Sequence, residues 1–270
     1  MLSWISILSL LLVSFCAPAF ATCPYGLTGV TCVAWGKASS LVGLSDGDPV
    51  PTWTDLSGSG NDAANTGTPA TYKAGILGGK AVVRFSGASD EYYTAASTLA
   101  LPQPYTVCVV GSNNNVVDNG TFFSNVSGGL WIFEGFNGGT QLASYAGTGI
   151  FQTVSAMSNY AIMCGVFNGA SSVSSYNGTT ATGDVGTSSG TGLSIGIRGD
   201  TLNQNLNGDI AEWVVITSDL STANRQLFEG GAACEYGMQA SLPVGHPYKS
   251  SCLGSGAGKI PKRVIAIGSN

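Results

Sequence analysis

Glu134, Asp209, Glu212 and His246 are the side chains of this sequence whose types and neighbours could do acid–base work. Cleaving a glycosidic bond with retention takes two carboxylates about 5 Å apart on one face of a cleft. The nearest spacing here is Asp209-Ile-Ala-Glu212. Strand side chains alternate between faces, so carboxylates three apart are expected on opposite sides, and they do not predict a dyad. Glu134, in Trp131-Ile-Phe-Glu-Gly135, has no second acid close to it in the chain. His246 is the single histidine, in a turn-like Pro243-Val-Gly-His-Pro247, and reads as a packing or capping group. Gly-x-Ser-x-Gly occurs at Gly43–Gly47, Gly186–Gly190 and Gly192–Gly196, but none leads from a strand pattern into a helix pattern, so there is no nucleophile elbow, and there is no phosphate loop ending in Lys-Ser/Thr. The residues predict a protein without a catalytic site.

Binding chemistry offers more candidates. Asn207 and Asp209 are oxygen donors of the kind calcium takes, and they form the candidate metal pair. The competing reading has Asp209 accept hydrogen bonds from a neighbouring loop such as 55–62. Asp55, Asn61 and Asp62 allow the same two readings, and Asp46 and Asp48 sit in a turn, Ser45-Asp-Gly-Asp-Pro49, that resembles a calcium loop only faintly. With no Cys-x-x-Cys and one histidine, a zinc site is not expected. Sugar recognition needs exposed aromatic rings, and Tyr92, Tyr93, Trp131, Phe133 and Phe136 are the candidates, with core packing as the competing reading. Phe122 and Phe123 are expected in the core. Three sequons, at Asn119, Asn125 and Asn177, predict surface loops in a host that glycosylates asparagine.

The composition narrows the setting. Only 9% of residues are charged while 44% are hydrophobic, so the chain is not a disordered one. A net charge of −5 and the lack of a basic stripe argue against nucleic acid. Residues 1–21 read as an export signal: Ile5 to Phe15 is apolar but for serines, and Ala19-Phe-Ala21 is a small-x-small cleavage site. No later run is long and apolar enough to span a bilayer. Of seven cysteines, Cys16 falls within that signal and six remain, an even number that predicts disulfides in an extracellular or cell-surface setting. Their connectivity stays open. Cys23 and Cys32 could close a small loop, Cys108 and Cys164 lie in strand-like runs, and Cys234 and Cys252 could pin the tail to the last helix.

The elements that would position these groups are mostly strands. Lys80-Ala-Val-Val-Arg-Phe85 and Tyr105-Thr-Val-Cys-Val-Val110 are β-rich. Leu193, Ile195 and Ile197 alternate with smaller or polar residues, and Ile210 to Thr217 is the longest clear strand. One helix is expected from the N-cap Ser221 to the terminating Gly237, frayed by Gly230 and Gly231 at about 1 kcal/mol each relative to Ala. Residues 250–270 read as a Gly/Ser-rich linker and tail, with Arg263-Val-Ile-Ala-Ile267 as a short strand. The segment is either a flexible tail or a strand folded back on its own sheet, or it is a strand donated to a neighbouring copy.

Two stretches resemble a known group. Trp53-Thr-Asp-Leu-Ser-Gly-Ser-Gly-Asn61 is followed by Gly79-Lys-Ala-Val-Val-Arg-Phe-Ser-Gly87, and Gly208-Asp-Ile-Ala-Glu212 precedes Leu220-Ser-Thr-Ala-Asn-Arg-Gln226. In this order and spacing, over residues 35–248, they resemble the laminin G-like branch of the concanavalin A-like lectin/glucanase superfamily. The resemblance implies an all-β jelly-roll sandwich of two antiparallel sheets, occupying residues 22–249. It departs from the family pattern at Gly230 and Gly231, where bulky residues are usual, which puts the packing of the helix in question. The implied function is a secreted, non-catalytic module that binds extracellular glycans or mediates adhesion, with calcium as a possible cofactor. The alternative is a structural subunit of an extracellular filament or coat, self-assembling through the C-terminal strand.

Overall fold

The computed structural model describes residues 22–115 and 119–252. The export signal and the C-terminal strand expected at 263–267 lie outside the described residues. The strands, in chain order, are β1 (Cys32–Lys37), β2 (Thr52–Trp53), β3 (Ala63–Asn65), β4 (Thr71–Leu77), β5 (Lys80–Ser86), β6 (Tyr93–Ala100), β7 (Tyr105–Asn113), β8 (Gly120–Ser124) and β9 (Ser127–Gly128). They continue with β10 (Ile132–Phe136), β11 (Gln141–Tyr145), β12 (Gly149–Thr153), β13 (Ala161–Phe167), β14 (Ser172–Tyr176), β15 (Thr179–Gly183), β16 (Gly190–Ile195) and β17 (Asn207–Ile216), and helix α1 (Thr222–Tyr236) follows.

The strands form two antiparallel sheets packed as a sandwich. The first runs β15-β14-β13-β7-β17-β5-β4, with β1 also on β17; the second runs β12-β11-β10-β8-β16-β6-β3-β2, with β9 on β16. The all-β architecture and the single helix near the C-terminus are as the strand pattern predicts. Strand β17 is the spine of the first sheet: its N-terminal half pairs with β5 and its C-terminal half with β1 along the same edge. The pairing with β7 skips a residue between Ile210 and Glu212, a bulge at the point where β17 changes partner.

Between the sheets lies an aromatic core that includes Trp53, Phe85, Tyr93, Tyr105, Phe123, Trp131, Phe133 and Trp213. A second core lies on the outer face of the first sheet, where Cys108, Val110, Cys164 and Val214 meet Phe228, Ala232 and Tyr236 of α1. Burying a side chain such as Phe228 contributes roughly 1.5–3 kcal/mol. Helix α1 starts where the Ser221 hydroxyl accepts the Asn224 N–H at 3.2 Å and ends at Gly237 with φ of 69°. Gly230 and Gly231 do not fray it. Both are buried, and a Cβ on either would stand 2.3 Å from Tyr248 Cβ or Tyr25 Cγ, so the glycines admit these rings.

Three disulfides hold the described chain. Cys23–Cys32 closes the N-terminal loop, Cys108–Cys164 joins directly paired residues of β7 and β13, and Cys234–Cys252 ties α1 to the following segment. They belong to the chemistry of an oxidising compartment. No helix among the described residues is long and apolar enough to cross a membrane.

Candidate functional site

Asp209 and Glu212, singled out by sequence, are each engaged by partners within the chain. Arg84 grips Asp209 with both Nε and Nη2 at 2.8 Å, and the Tyr160 hydroxyl donates to the same carboxylate. The side-chain partner of Asp209 is thus Arg84 and not the loop at 55–62, because β5 brings the guanidinium directly opposite Asp209 in the ladder. Asn207, the other half of the candidate metal pair, sits half-buried at the start of β17. No cluster of three potential metal-ligating side chains occurs among the described residues. The loop at 55–62 is organised by Asp55, which accepts from the N–H of Trp35, Ser57 and Asn61 and from the Ser57 hydroxyl.

Glu212 corrects the alternation argument. The bulge beside Ala211 turns Glu212 to the helix-covered face, the face that Asp209 also occupies. No dyad results, because each acid keeps its own partners. Glu212 is fully buried and accepts from Trp35 Nε1 at 2.9 Å, the Tyr236 hydroxyl at 3.1 Å and the Tyr25 hydroxyl. Burial pushes its carboxyl above the usual range, against the pull of Lys37. His246 is likewise a pin: its Nε2 lies 3.1 Å from Glu229 of α1, whose carboxylate also receives Arg225.

Three candidate rings are core residues. Tyr93 is wholly buried between Trp53 and Phe85, with its hydroxyl donating to Val50 O at 2.7 Å. Trp131 packs on Tyr105 and Phe167, and Phe133 on Phe123. Strand parity turns these rings inward, so they cannot meet a ligand. Tyr92 is half-buried just before β6, while Phe122 and Phe123 are in the core as expected. Among the sequons, Asn125 is buried, its amide donating to Ser127 O and accepting the Trp131 N–H, although Ser127 and the loop that follows are exposed. Asn119 and Asn177 are half-buried.

Phe136 is the candidate that faces outward, and the register shows what surrounds it. Glu134 pairs with Ala143, which pairs with Phe151; Ile132 pairs with Tyr145, which pairs with Gly149. Phe133 and Ile150 are core residues, so Glu134, Phe136, Phe151 and Tyr145 share the outer face of the second sheet. The Phe136 and Phe151 rings meet with centroids 4.9 Å apart, and Phe151 is 44% exposed. A Cβ at Gly149 would stand 2.9 Å from the Phe151 ring and 3.2 Å from the Tyr145 ring, so both rings lie over this glycine. Phe136, Phe151 and Tyr145 thus form a strip across β10, β11 and β12. Helix α1, the α-helix of the described residues, covers the other sheet and not this face.

The loop after β16 borders the strip. Gly199 N–H donates to Ser124 Oγ at 2.7 Å and Thr121 N–H to Gln204 O at 3.0 Å, which ties the loop to β8. Arg198 holds Asp200 through Nε at 2.7 Å and Nη2 at 3.1 Å. Leu202 and Gln204 adopt φ of 51° and 55°, a left-handed conformation costly for side chains other than glycine. Ser194 Oγ, Gln204 Oε1 and Asn205 Oδ1 are buried without a hydrogen-bond partner among the described residues.

Glu134 lies beneath this edge, 4% exposed, accepting from Thr121 Oγ1 at 3.1 Å and Asn119 Nδ2 at 3.3 Å. Burial pushes its carboxyl up to about 7, partly offset by the Thr121 hydroxyl and the nearby Arg198 charge. Arg198 in turn keeps the Asp200 carboxyl below the usual range through their hydrogen bonds. The Asp200 hydrogen bonds, with smaller contributions from Glu134 and Tyr145, hold the Arg198 guanidinium more firmly protonated. The arrangement offers flat apolar rings for C–H faces and an Arg–Asp pair for hydroxyl groups.

Sequence reasoning missed Phe151, Tyr145 and Arg198. One local sign was available: Ile150 and Phe151 are adjacent, so one of them has to face outward from a strand.

The fold is a β-sandwich of two antiparallel sheets with one α-helix among the described residues. No family model matches the sequence, and no curated relative does. Among solved structures, domain 4 of an extracellular arabinanase from Geobacillus stearothermophilus, in complex with arabinotriose, is similar with a TM-score of 0.55 and 13% identity, over 74% of this chain and 98% of that one. An α-L-arabinofuranosidase is similar with a TM-score of 0.55 and 12% identity, over 77% of this chain and 63% of that one. The receptor-binding domain of botulinum neurotoxin type G follows at 0.52 and 11%, over 72% of this chain and 50% of that one. The chain thus spans half of the neurotoxin chain and less than two thirds of the arabinofuranosidase. At these identities the likeness is one of fold.

Proposed function

We propose that this chain is an exported, non-catalytic glycan-binding module of the laminin G-like kind, and that the strip Phe136–Phe151–Tyr145 is its contact face. The observation that carries the reading is the exposed ring of Phe151 packed beside Phe136 on a sheet face that no helix of the described residues covers. Sugar C–H faces pack on such rings, and Arg198 with Asp200 supplies charged donors and acceptors for ring hydroxyls. Binding rather than hydrolysis is supported by the acids: Asp209 and Glu212 are engaged by their own partners, and Glu134 is buried with Thr121 and Asn119 donating to it. The ordered motifs around Trp53, Arg84 and Glu212 support the laminin G-like assignment, and the export signal together with three disulfides supports secretion. A domain of similar fold has been solved with arabinotriose, which makes neutral oligosaccharides the first probes.

The test is a titration of the purified chain with arabinotriose and other neutral oligosaccharides, following the aromatic ring resonances of Tyr145 and Phe151. Saturable shifts at these rings are expected. Shifts elsewhere only, or none with any oligosaccharide, would remove the proposal.

A further inference from the structure

A second feature lies around the corner of β12, where the edges of the two sheets approach each other. A cavity of about 280 Å³ opens between the end of β12, the β14–β15 hairpin and Ser241. Binding cavities for small molecules commonly begin near 300 Å³, roughly, so this one has room for a single ring. None of its lining side chains carries a charge: they are amides, hydroxyls, a tyrosine and a valine. Such a lining offers nothing to hold a phosphate, a carboxylate or a metal ion.

The polar atoms are specific. Gln152 is 7% exposed, and its Nε2 donates to Thr179 O at 2.8 Å across the gap between the sheets. That bond orients the amide and leaves Gln152 Oε1 buried with no partner among the described residues. An acceptor in that position costs about 1–3 kcal/mol unless a donor reaches it. Asn177 is held at φ of 49° ahead of Gly178 at 82°, the Asn-Gly turn of a tight hairpin. Its Oδ1 accepts the Ile162 N–H at 2.8 Å, so the amide nitrogen is the donor left over. The Tyr176 hydroxyl donates to Ala156 O at 2.8 Å, which fixes its ring as an apolar wall.

We propose that this cavity is a binding site for one neutral, polyhydroxylated ring, a sugar residue either free or at the end of a chain, with Asn177 Nδ2 donating to one of its hydroxyls and the Tyr176 ring as its wall. The site shares β12 with the aromatic strip but does not rest on it, since none of the strip residues lines it.

The experiment uses the full chain made in a host that leaves asparagine unmodified, so that Asn177 stays free. The side-chain amide resonances of Asn177 are followed during titration with glucose, galactose and arabinose, with their methyl glycosides and disaccharides, and with glucuronate as the charged control. Saturable shifts of this amide with a neutral sugar are expected. A response to free sugars assigns the site to a free ring, and a response to glycosides and disaccharides alone assigns it to a chain end. Ser241 is exposed at the rim, so Ser241→Trp should fill the cavity and weaken binding at least about tenfold without changing the melting temperature. No shift with any neutral sugar, an equal response to glucuronate, or full retention of binding in Ser241→Trp would overturn the proposal.

Discussion

The rings of Phe136 and Phe151 meet with centroids 4.9 Å apart although β11 lies between their strands. Ala143 makes this possible. It sits between Glu134 and Phe151 in the ladder and is too small to part the rings. Ala143→Leu is therefore expected to push the rings apart and weaken glycan binding while the chain stays folded. Affinity measured beside the melting temperature separates the two effects, and unchanged affinity would mean the packed pair is not the contact.

Glu134 makes stability depend on pH in a defined direction. Its carboxyl titrates near 7 in the folded chain against an ordinary value of 4.5. Between these values the native state keeps a proton that the unfolded state has released, so stability falls as pH rises through that window. The contribution is complete below about 4.5 and gone above about 7. Glu134→Gln should flatten part of the fall in melting temperature between pH 5 and pH 7, roughly the window set by the two values. Some slope remains, because burial shifts Glu212 in the same direction. An unaltered slope in the variant would show that Glu134 is ionised when folded.

Gly231→Ala should destabilise the chain even though alanine favours a helix by about 1 kcal/mol. The new Cβ would stand 2.3 Å from Cγ of Tyr25, whose hydroxyl is tied to Glu212 and whose loop is closed by Cys23–Cys32. Overpacking of this kind costs about 1–3 kcal/mol. Denaturant unfolding measures it, and a more stable variant would show that Tyr25 is free to move away.

Asn125 should carry no glycan when the chain is produced in a eukaryotic host. Its amide nitrogen donates to Ser127 O at 3.0 Å, its oxygen accepts the Trp131 N–H, and the residue is wholly buried. Peptide mass spectrometry reads occupancy directly, and a modified Asn125 would mean that the loop from Ser124 to Trp131 opens before folding is complete.

The sheets, the helix and its caps were readable because each rests on local rules: runs of apolar residues, a serine before the helix and a glycine after it. The Trp53–Asn61 motif was readable as a pattern, and Asp55 explains it by gathering the N–H groups of Trp35, Ser57 and Asn61. The face of Glu212 was misread because one bulged residue reverses strand parity, and nothing local in Asp209-Ile-Ala-Glu212 announces a bulge. The contact strip was mostly invisible. Phe136, Tyr145 and Phe151 come from three strands, and only the register between those strands makes them neighbours. Tyr93 and Trp131 have the right chemistry for sugar, but their parity turns them to the core.

The central claim is that the rings on the outer face of the second sheet hold a glycan. An oligosaccharide array read with the wild-type chain and with a Tyr145→Ala, Phe151→Ala double variant tests it most directly. Each ring is worth about 1 kcal/mol beyond its buried area, so the double variant should lose at least about tenfold in apparent affinity. The account predicts a neutral-oligosaccharide response in the wild type that disappears in the double variant, with the melting temperature of the two chains alike. An array with no response, or one on which the double variant binds as well as the wild type, would contradict it.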